Sequence, residues 1–391
     1  MSEWKEVSLS ELGKTITGKT PSSQYPEDFG DEVPFITPSD SFEKKYISRS
    51  ERYLSRLGSD RLKDKIISSD SIMVTCIGSA MGKVAKNSLP SVTNQQINSI
   101  IVNENFDSDY IYYLFKNNYA VFRNAASGST AIPILNKTDF DNLRFKVELN
   151  LNEQRKMVSI LSTIDDKIEI NNQINQELEA MAKTLYDYWF VQFDFPDQNG
   201  KPYKSSGGKM VYNPELKREI PEGWGVTKVC ELQIATGKRD ANFGTENGKY
   251  DFWTTANSPI KADEFSFEGK AILIAGNGNF YVNFTEGKFE AYQRTYVIQS
   301  EDENMLIFMY MACLQSVEKL RKGSNGSIIK YITIGDVNNI ASPYNKKVVD
   351  DFVKIYSPLI NLISKNKRQN QEFTQLRDWL LPMLMNGQVI I

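Results

Sequence analysis

An internal repeat is the feature that most limits how this 391-residue chain can fold. Shifting residues 153–191 by 195 positions gives nine identities in 39 positions, against about two or three expected by chance. The identities are Val158/Val353, Ile160/Ile355, Ser162/Ser357, Ile168/Ile363, Asn171/Asn366, Asn175/Asn370, Gln176/Gln371, Glu177/Glu372 and Leu185/Leu380. At an offset of 197 the match continues with Gln96/Gln293, Ser127/Ser324, Asp139/Asp336 and Asn142/Asn339, and further back Trp4, Glu11 and Leu12 match Trp224, Glu231 and Leu232. The chain therefore repeats one plan, a variable domain followed by a helix.

The two helical segments are long and amphipathic, and the first is predicted from about Asn152 to Phe190. Two ordinary core helices would give the same pattern, but polar Asn171 and Asn366 at equivalent positions favour a coiled coil whose register is set by buried amides. We also expect exposed apolar faces around Trp189, Phe190, Trp379 and Leu384 that a partner would cover. The predicted seam and docking residues are Ile164, Ile168, Asn171, Leu178, Leu185, Trp189, Leu359, Ile363, Asn366, Phe373, Leu380 and Leu384.

The variable segments are predicted to be mixed α/β domains with much loop. Short runs rich in β-branched residues lie between Gly, Asn, Ser and Pro clusters and are typical of strands; they are Ser71–Cys76, Ile97–Val102, Ala271–Ala275 and Tyr292–Ile298. The predicted boundaries are 1–150, 151–192, 193–221, 222–344 and 345–391, in which the third segment is a turn-rich, exposed connector.

Composition removes several classes of chemistry. The chain has no histidine, which excludes Ser/His and Cys/His nucleophile pairs and His-ligated zinc. Cys76, Cys230 and Cys313 form no CxxC pair, so neither a four-cysteine zinc site nor a disulfide framework is expected, and the usage fits a reducing cytosol. No apolar leader or membrane-length run is present, which predicts a soluble, cytoplasmic protein that does not contact the membrane.

Charge and loop chemistry point to nucleic acid. Residues 44–65 carry eight basic and three acidic residues, whereas residues 146–195 carry five basic and nine acidic. Gly/Ser/Asn loops at 126–133 and 322–329 offer donors to phosphates, and glutamine or arginine can read base edges, although each residue could also be a solvated loop or strand residue. The candidate DNA-contacting residues are Lys19, Arg49, Arg52, Arg56, Gln95, Gln96, Arg123, Ser127, Gly128, Ser129, Thr130, Lys238, Gln293, Arg294, Lys322, Ser324, Asn325, Ser327 and Lys330.

Two motifs that suggest catalysis have the wrong context. Gly13–Thr20 satisfies GxxxxGK[ST], but no buried strand is predicted before it and prolines follow it, which favours a turn with a phosphate-facing Lys19. Asp197 and Glu215 resemble a PD…ExK nuclease pair, but they fall in the connector rather than on a strand. We therefore expect no catalytic residue and no metal site in this chain.

At this point the sequence resembles the specificity subunits of type I restriction-modification systems. Leu151–Phe190 (LNEQRKMVSILSTIDDKIEINNQINQELEAMAKTLYDYWF) is similar to that family's central conserved region. The connector, the ending LRDWLLPMLMNGQV and the segment Ser127–Leu143 are also similar to family sequence. The resemblance spans nearly the whole chain, but it is weak in the variable domains, so no base-reading residue is carried over.

The resemblance implies a non-catalytic subunit with two target recognition domains, each reading one half of a bipartite, gapped double-stranded DNA sequence. Two long antiparallel helices would form a pseudo-twofold coiled-coil spacer that docks methyltransferase subunits, two in number, and through them restriction/translocase subunits. S-adenosylmethionine, ATP and Mg would bind to those partners and not to this chain. The alternatives are a recognition module of another restriction-methylation enzyme type and a coiled-coil adaptor that does not bind DNA.

Overall fold

The structure is a computed structural model that describes residues 3–78, 81–125, 133–326 and 330–389. The chain divides into two units. Unit 1 comprises Met1–Glu169 with Asn370–Ile391, and unit 2 comprises Ile170–Gln369. Each unit thus takes one variable domain and parts of both long helices. Among the described residues, no helix combines the length and apolar character needed to cross a membrane.

Unit 1 contains the first twelve strands and the first five helices, together with the start of the sixth helix and the end of the ninth. Its strands are β1 (Trp4–Ser8), β2 (Gly13–Thr17), β3 (Phe29–Gly30), β4 (Val33–Ile36), β5 (Tyr46–Ile47), β6 (Tyr53–Leu54), β7 (Ile66–Ile67), β8 (Ile72–Thr75), β9 (Val84–Asn87), β10 (Ser91–Thr93), β11 (Ile97–Val102) and β12 (Arg144–Glu148). Its helices are α1 (Leu9–Leu12), α2 (Arg56–Arg61), α3 (Ser108–Asn117), α4 (Tyr119–Asn124), α5 (Lys137–Asn142) and α6 (Leu151–Tyr186), the last continuing into unit 2.

Unit 2 contains the remaining elements. Its strands are β13 (Met210–Asn213), β14 (Arg218–Pro221), β15 (Gly225–Lys228), β16 (Gln233–Thr236), β17 (Tyr250–Trp253), β18 (Ile260–Ala262), β19 (Phe267–Glu268), β20 (Ala271–Ala275), β21 (Val282–Thr285), β22 (Lys288–Ala291), β23 (Thr295–Gln299) and β24 (Ala341–Tyr344). Its helices are α7 (Glu303–Gly323), α8 (Ile334–Asn338) and α9 (Lys346–Met385), the last continuing into unit 1.

Each variable domain is built on two sheets. The two five-stranded sheets of unit 1 have the orders β2-β11-β8-β9-β5 and β3-β6-β4-β10-β7, and the two four-stranded sheets of unit 2 have the orders β16-β23-β20-β21 and β18-β17-β22-β19. Most neighbouring strands are antiparallel, but β5 and β9, β4 and β10, and β17 and β22 are parallel pairs. Successive side chains of a strand point to opposite faces, and in β8 Ile72 and Val74 enter one core while Met73 enters another. Ile272 and Leu273 of β20 divide in the same way. Because both faces are buried, these strands are continuous apolar runs rather than alternating ones.

The structure confirms the mixed α/β class and most predicted strands. β11 and β20 have the predicted bounds, and β8 lies inside its predicted run. The predicted strand Tyr292–Ile298 is wrong at its start, because Gln293 and Arg294 form a turn before β23. The connector is also more ordered than predicted, since β13 and β14 pair as an antiparallel hairpin between Met210 and Pro221.

The first long helix begins near the predicted residue but ends in a π-helical turn, Asp187–Val191. Trp189 and Phe190 in this turn are buried, and their rings contact Phe352 of α9 with centroids 6.0 and 5.2 Å apart. Leu384 is buried in the core of unit 1. The expected exposed face is therefore wrong for these three residues, whereas Trp379 is 58% exposed as expected.

Within each unit the two long helices contact each other with opposite chain directions. In unit 1, Asp165 pairs with Arg377 at 3.0 Å and the Ile168 carbonyl accepts from Asn370 at 3.3 Å. In unit 2, Asn366 donates to the Asn175 side chain at 2.9 Å, and both amides are buried. Of the predicted seam, Ile164, Ile363 and Asn366 are buried, and Ile168, Asn171, Leu178, Leu185, Leu359, Phe373 and Leu380 are half-buried. The full-length coiled coil and its pseudo-twofold symmetry stay predictions.

The buried amide pair gives a testable stability prediction. We expect Asn366→Ala to lower the free energy of unfolding by about 1–3 kcal/mol, because the Asn175 oxygen would lose its donor inside the protein. Replacing both Asn175 and Asn366 by leucine should recover most of this loss, because no buried polar group is then unpaired. Urea denaturation followed by circular dichroism would measure both effects. A double variant as unstable as the single one would contradict this account.

Candidate nucleic-acid interface

A tight turn in unit 1 brings together three of the predicted DNA-contacting residues. After β2, the Lys19 amide donates to the Thr93 carbonyl at 2.8 Å and the Gly18 amide donates to the Ile97 carbonyl at 3.2 Å. A Cβ at Gly18 would lie 2.1 Å from the Asn94 oxygen, so the close approach requires glycine. Lys19 and Gln95 are therefore held at neighbouring exposed positions, with Gln96 next to them.

Unit 2 contains the same turn after β16. The Lys238 amide donates to the Ala291 carbonyl at 3.0 Å and the Gly237 amide donates to the Thr295 carbonyl at 2.9 Å. A Cβ at Gly237 would lie 2.1 Å from the Tyr292 oxygen. Exposed Lys238 thus lies beside exposed Gln293, as Lys19 lies beside Gln95.

Each of these two glutamine side chains forms a hydrogen bond within its turn to a residue that is distant in the sequence. In unit 1 the Thr20 hydroxyl donates to the Gln95 side-chain oxygen at 2.6 Å. In unit 2 the Gln293 amide donates to the Asp240 carboxylate at 3.0 Å. Thr20 and Asp240 each follow a Gly-Lys pair, Gly18–Lys19 and Gly237–Lys238. This repeated dipeptide is the sequence signal that could have identified the two hydrogen-bond partners.

A second backbone network places each glutamine turn beside the stem of a Gly/Ser loop. In unit 1 the Cys76 amide donates to the Gln96 carbonyl at 2.8 Å, and the Leu135 amide donates to the Cys76 carbonyl at 2.9 Å. In unit 2 the Gly276 amide donates to the Arg294 carbonyl at 2.7 Å, and the Ile332 amide donates to the Gly276 carbonyl at 3.0 Å.

We call these two arrangements turn clusters. The first comprises Gly18–Thr20, Gln95, Gln96 and the stem at Leu135, and the second comprises Gly237–Asp240, Gln293, Arg294 and the stem at Ile332. The matched hydrogen bonds pair Gln95 with Gln293 and Gln96 with Arg294, an offset of 198. The alignment of Gln96 with Gln293 from the sequence is therefore wrong by one residue.

The tips of the two loops lie largely outside the described residues. This applies to Ser127, Gly128, Ser129, Thr130 and Ser327. On the flanks in unit 2, Asn325 and Tyr331 exchange backbone hydrogen bonds of 3.0 and 2.9 Å, and the Ser324 hydroxyl donates to the Arg321 carbonyl at 2.8 Å. Exposed Lys330 follows this loop, and the Gly278 amide donates to its carbonyl at 2.9 Å.

The basic run of unit 1 is partly neutralised by structural contacts. Lys45 pairs with Asp109 at 2.9 Å, and Arg61 pairs with Glu27 at 3.2 Å. The Arg52 guanidinium lies 4.1 Å from the centre of the Phe29 ring, a cation–π contact that keeps one face of the cation on protein.

Arg49, Arg52 and Arg56, the three predicted contacts in this run, are all exposed, and none forms a salt bridge to a described residue. The guanidinium of Arg123, in α4, donates to the Tyr119 hydroxyl at 3.1 Å. Salt bridges therefore neutralise part of the charge of this run, whereas its three predicted contacts keep no acidic partner among the described residues.

Lys45 shares Asp109 with a buried ion network that the sequence did not predict. Lys86 is 1% exposed and lies 3.0 Å from Asp70, and its ammonium also contacts Asp109. Burial alone would lower the pKa of Lys86, but the hydrogen bond and charge of Asp109 outweigh it and raise the pKa. Lys86 is therefore a charged structural residue that ties β9 to the start of α3.

In unit 2 the cations of the second turn cluster differ in their availability. Arg239 is held by Glu290 at 3.2 Å and Glu264 at 2.6 Å, so it is structural. Lys238 and Arg294 of the cluster are exposed, as is Lys322 outside it, and none of the three forms a salt bridge to a residue that the structure describes. The second cluster thus presents free positive charge beside a fixed glutamine, which suits contact with a phosphate and a neighbouring base.

The two catalytic motifs have structural roles. Gly13–Thr17 of the GxxxxGK[ST] match forms β2, paired antiparallel with β11, and the described chain after it continues as a turn and not as a helix. The Asp197 carboxylate accepts backbone amides of Asn199 and Lys201 at 2.7 and 2.9 Å, and Glu215 pairs with Lys228 at 2.5 Å. Among the described residues, no group of three His, Cys, Asp or Glu side chains is arranged to hold a metal ion.

The sequence of this chain is similar to those of known specificity subunits. The family model described as the type I restriction modification DNA specificity domain matches residues 1–180 and 221–374. The MjaIX type I restriction enzyme specificity subunit of Methanocaldococcus jannaschii is 28% identical over 419 aligned positions, which cover 99% of this chain and 94% of that protein. The HindI specificity subunit of Haemophilus influenzae is 37% identical over 188 positions, covering 46% of this chain and 40% of that protein.

A solved structure supports the same fold. The S subunit of a type I restriction-modification system from M. genitalium superposes with a TM-score of 0.59 at 16% identity, and the match covers 98% of this chain and 96% of that one. The family model matches the chain twice, once in each half, as the internal repeat requires. This chain therefore belongs to the type I restriction modification DNA specificity domain family.

Proposed function

We propose that this chain is the DNA-recognition subunit of a type I restriction-modification complex and that each turn cluster reads one half of a bipartite target. The observation that supports this most directly is the repetition of the cluster. Each variable domain places one lysine and one locally fixed glutamine beside the stem of a Gly/Ser loop. A protein with one such cluster in each half has the side chains needed to contact two separate half-sites.

The side chains of the cluster divide between phosphate contact and base reading. A lysine contributes charge to the sugar-phosphate backbone and carries no sequence information, whereas glutamine recognises adenine through its N6 and N7 edge. The bond from Gln293 to Asp240 uses one amide hydrogen and leaves the other hydrogen and the oxygen available. A side chain fixed before binding loses less rotamer entropy when it meets a base.

The long helices are the proposed docking surface for partner subunits. Met181 and Trp379 are each 58% exposed, and Ile174 and Leu376 are 40% and 43% exposed, so both helices present apolar side chains. We propose that two methyltransferase subunits bind there and connect the complex to restriction/translocase subunits. Those subunits would bind and use S-adenosylmethionine, ATP and Mg. This chain would contribute recognition without catalysis.

We propose a cytoplasmic location for this assembly. Cys76, Cys230 and Cys313 are free thiols in the structure, and Cys230 is exposed. Free exposed thiols suit a reducing compartment.

Methylation mapping tests the proposed function. The chain would be co-expressed with methyltransferase subunits of a type I system, and adenine methylation would be mapped across genomic DNA with and without this chain. We expect methylation confined to one gapped, two-part sequence that requires this chain. Methylation without sequence dependence, from a stable complex, would contradict the proposal and favour an adaptor role.

Single glutamine variants test the role of the clusters. Gln95→Ala should relax the sequence preference in one half-site and Gln293→Ala in the other, each reducing discrimination by about 5- to 150-fold, since a good base contact contributes about 1–3 kcal/mol. Gln198→Ala, in the exposed connector, is the matched control and should change neither half. If Gln95→Ala and Gln293→Ala altered the same half-site, the assignment of one cluster to each half would be wrong.

A further inference from the structure

Unit 2 contains a partly open cavity of about 390 Å³ that lies apart from the residues proposed to contact DNA and partner subunits. It lies between α6, α7, α9 and β21, and apolar residues line much of it. These include Ala182, Val282, Leu314 and Ile360, together with the phenols Tyr310 and Tyr356. A volume of this size is within the range of sites that hold small molecules.

The internal repeat supplies a reference for this cavity. At the offset of 195, Ile360 and Ala182 correspond to Asp165 and Arg377. In unit 1 those two side chains form an ion pair at 3.0 Å, each 16% exposed, and the Tyr113 hydroxyl donates to Asp165 at 2.7 Å. The equivalent helix positions in unit 1 are therefore occupied by bonded polar side chains, whereas unit 2 has shorter or apolar side chains that leave space.

The two phenols in the cavity wall are unpaired donors. Tyr356 is 2% exposed and Tyr310 is half-buried, and neither hydroxyl donates a hydrogen bond to a residue that the structure describes. Burial raises the pKa of both groups, so they stay protonated at neutral pH. Because both residues line the cavity, an acceptor bound there would give these hydroxyls a hydrogen-bond partner.

We propose that this cavity binds a small aromatic molecule of one to three rings that carries a hydrogen-bond acceptor for Tyr310 and Tyr356. The apolar wall would contact the rings, and the phenols would donate to the acceptor. At the rim, Glu179 and Lys367 form a salt bridge of 3.5 Å with both side chains about half exposed, which leaves the entrance hydrated. The bound molecule would contact both long helices and α7 of the recognition domain, and would stabilise unit 2. This proposal does not depend on the DNA-binding role.

Titration of the full chain with 8-anilinonaphthalene-1-sulfonate tests the proposal, because this fluorescent probe combines aromatic rings with a sulfonate acceptor. We expect one saturable site with blue-shifted emission. Tyr310→Phe and Tyr356→Phe keep the cavity volume but remove a donor, and each should weaken binding by about two- to tenfold. Unchanged affinity in both variants would overturn the proposal.

Matched double variants use the repeat as their control. Ala182→Arg with Ile360→Asp introduces the residues of unit 1 and should abolish probe binding while circular dichroism stays native. Asp165→Ile with Arg377→Ala introduces the residues of unit 2 into unit 1 and should raise the stoichiometry from one to two. Equal probe binding by the parent chain and a folded Ala182→Arg/Ile360→Asp variant would show that the probe binds elsewhere, such as the exposed helix faces, and the proposal would be wrong. If that variant does not fold, the two phenylalanine variants decide the question.

Discussion

Phe352→Ala is expected to lower the free energy of unfolding by about 3–5 kcal/mol, because it removes a large side chain from a packed core and leaves a cavity. Phe352 is fully buried, and its ring lies among those of Tyr186, Phe190, Phe308 and Tyr356, with centroids 5.2 to 6.5 Å away. It joins the start of α9 to the end of α6 and to α7. Urea denaturation followed by circular dichroism would measure the change.

Trp379→Ala is the matched control for this prediction. Trp379 is an aromatic residue of the same helix but is 58% exposed, so its removal should change stability by no more than about 0.5 kcal/mol. A loss at Phe352 no larger than the loss at Trp379 would mean that the aromatic cluster does not stabilise unit 2 as its geometry indicates.

Gly237→Ala should destabilise the second recognition domain and abolish reading of its half-site. The added Cβ would lie 2.1 Å from the Tyr292 oxygen and 2.3 Å from the Ala291 oxygen, and both atoms belong to the backbone. The turn must therefore shift, at a cost of about 1–3 kcal/mol, and the shift would move Lys238 away from Gln293. Thermal unfolding and methylation mapping would measure the two effects, and the other half-site should keep its sequence.

Gly225→Ala in the same unit separates this effect from a general cost of replacing glycine. An added Cβ at Gly225 meets no heavy atom within 4 Å, so this variant should keep both stability and specificity. Retention of the second half-site by Gly237→Ala would contradict the assignment of the turn cluster to DNA recognition.

The sequence predicted those features of the fold that depend on local periodicity. β-branched runs identified β8, β11 and β20, because strands with two buried faces are continuous apolar segments. The turn at Gln293 was misread as strand, because the β-branched residues of β23 begin at Thr295 and the turn before it is fixed by backbone bonds to residues far away in the chain, such as Gly276.

The DNA-contacting residues stay predictions, but the structure shows which of them lie close together. Lys19, Gln95, Gln96, Lys238, Gln293 and Arg294 do converge in the two turn clusters. Some cations of residues 44–65 contact acidic or aromatic residues outside the run, including Glu27, Phe29 and Asp109. A count of charges along the sequence cannot register partners that folding supplies.

The sequence by itself determined that this protein has two copies of one plan and two long amphipathic helices, since repeats and 3.6-residue periodicity are written in residue order. The tertiary structure alone decided which side chains meet. Asn366 bonds Asn175, 191 residues away, and Trp189 and Phe190 turn inward onto Phe352. Unit 1 has the bonded Asp165–Arg377 pair where unit 2 has Ile360 and Ala182, which line a cavity. The composition of the chain does not predict this cavity. The physical reason is that packing and hydrogen bonding depend on distances between groups that are remote in the chain.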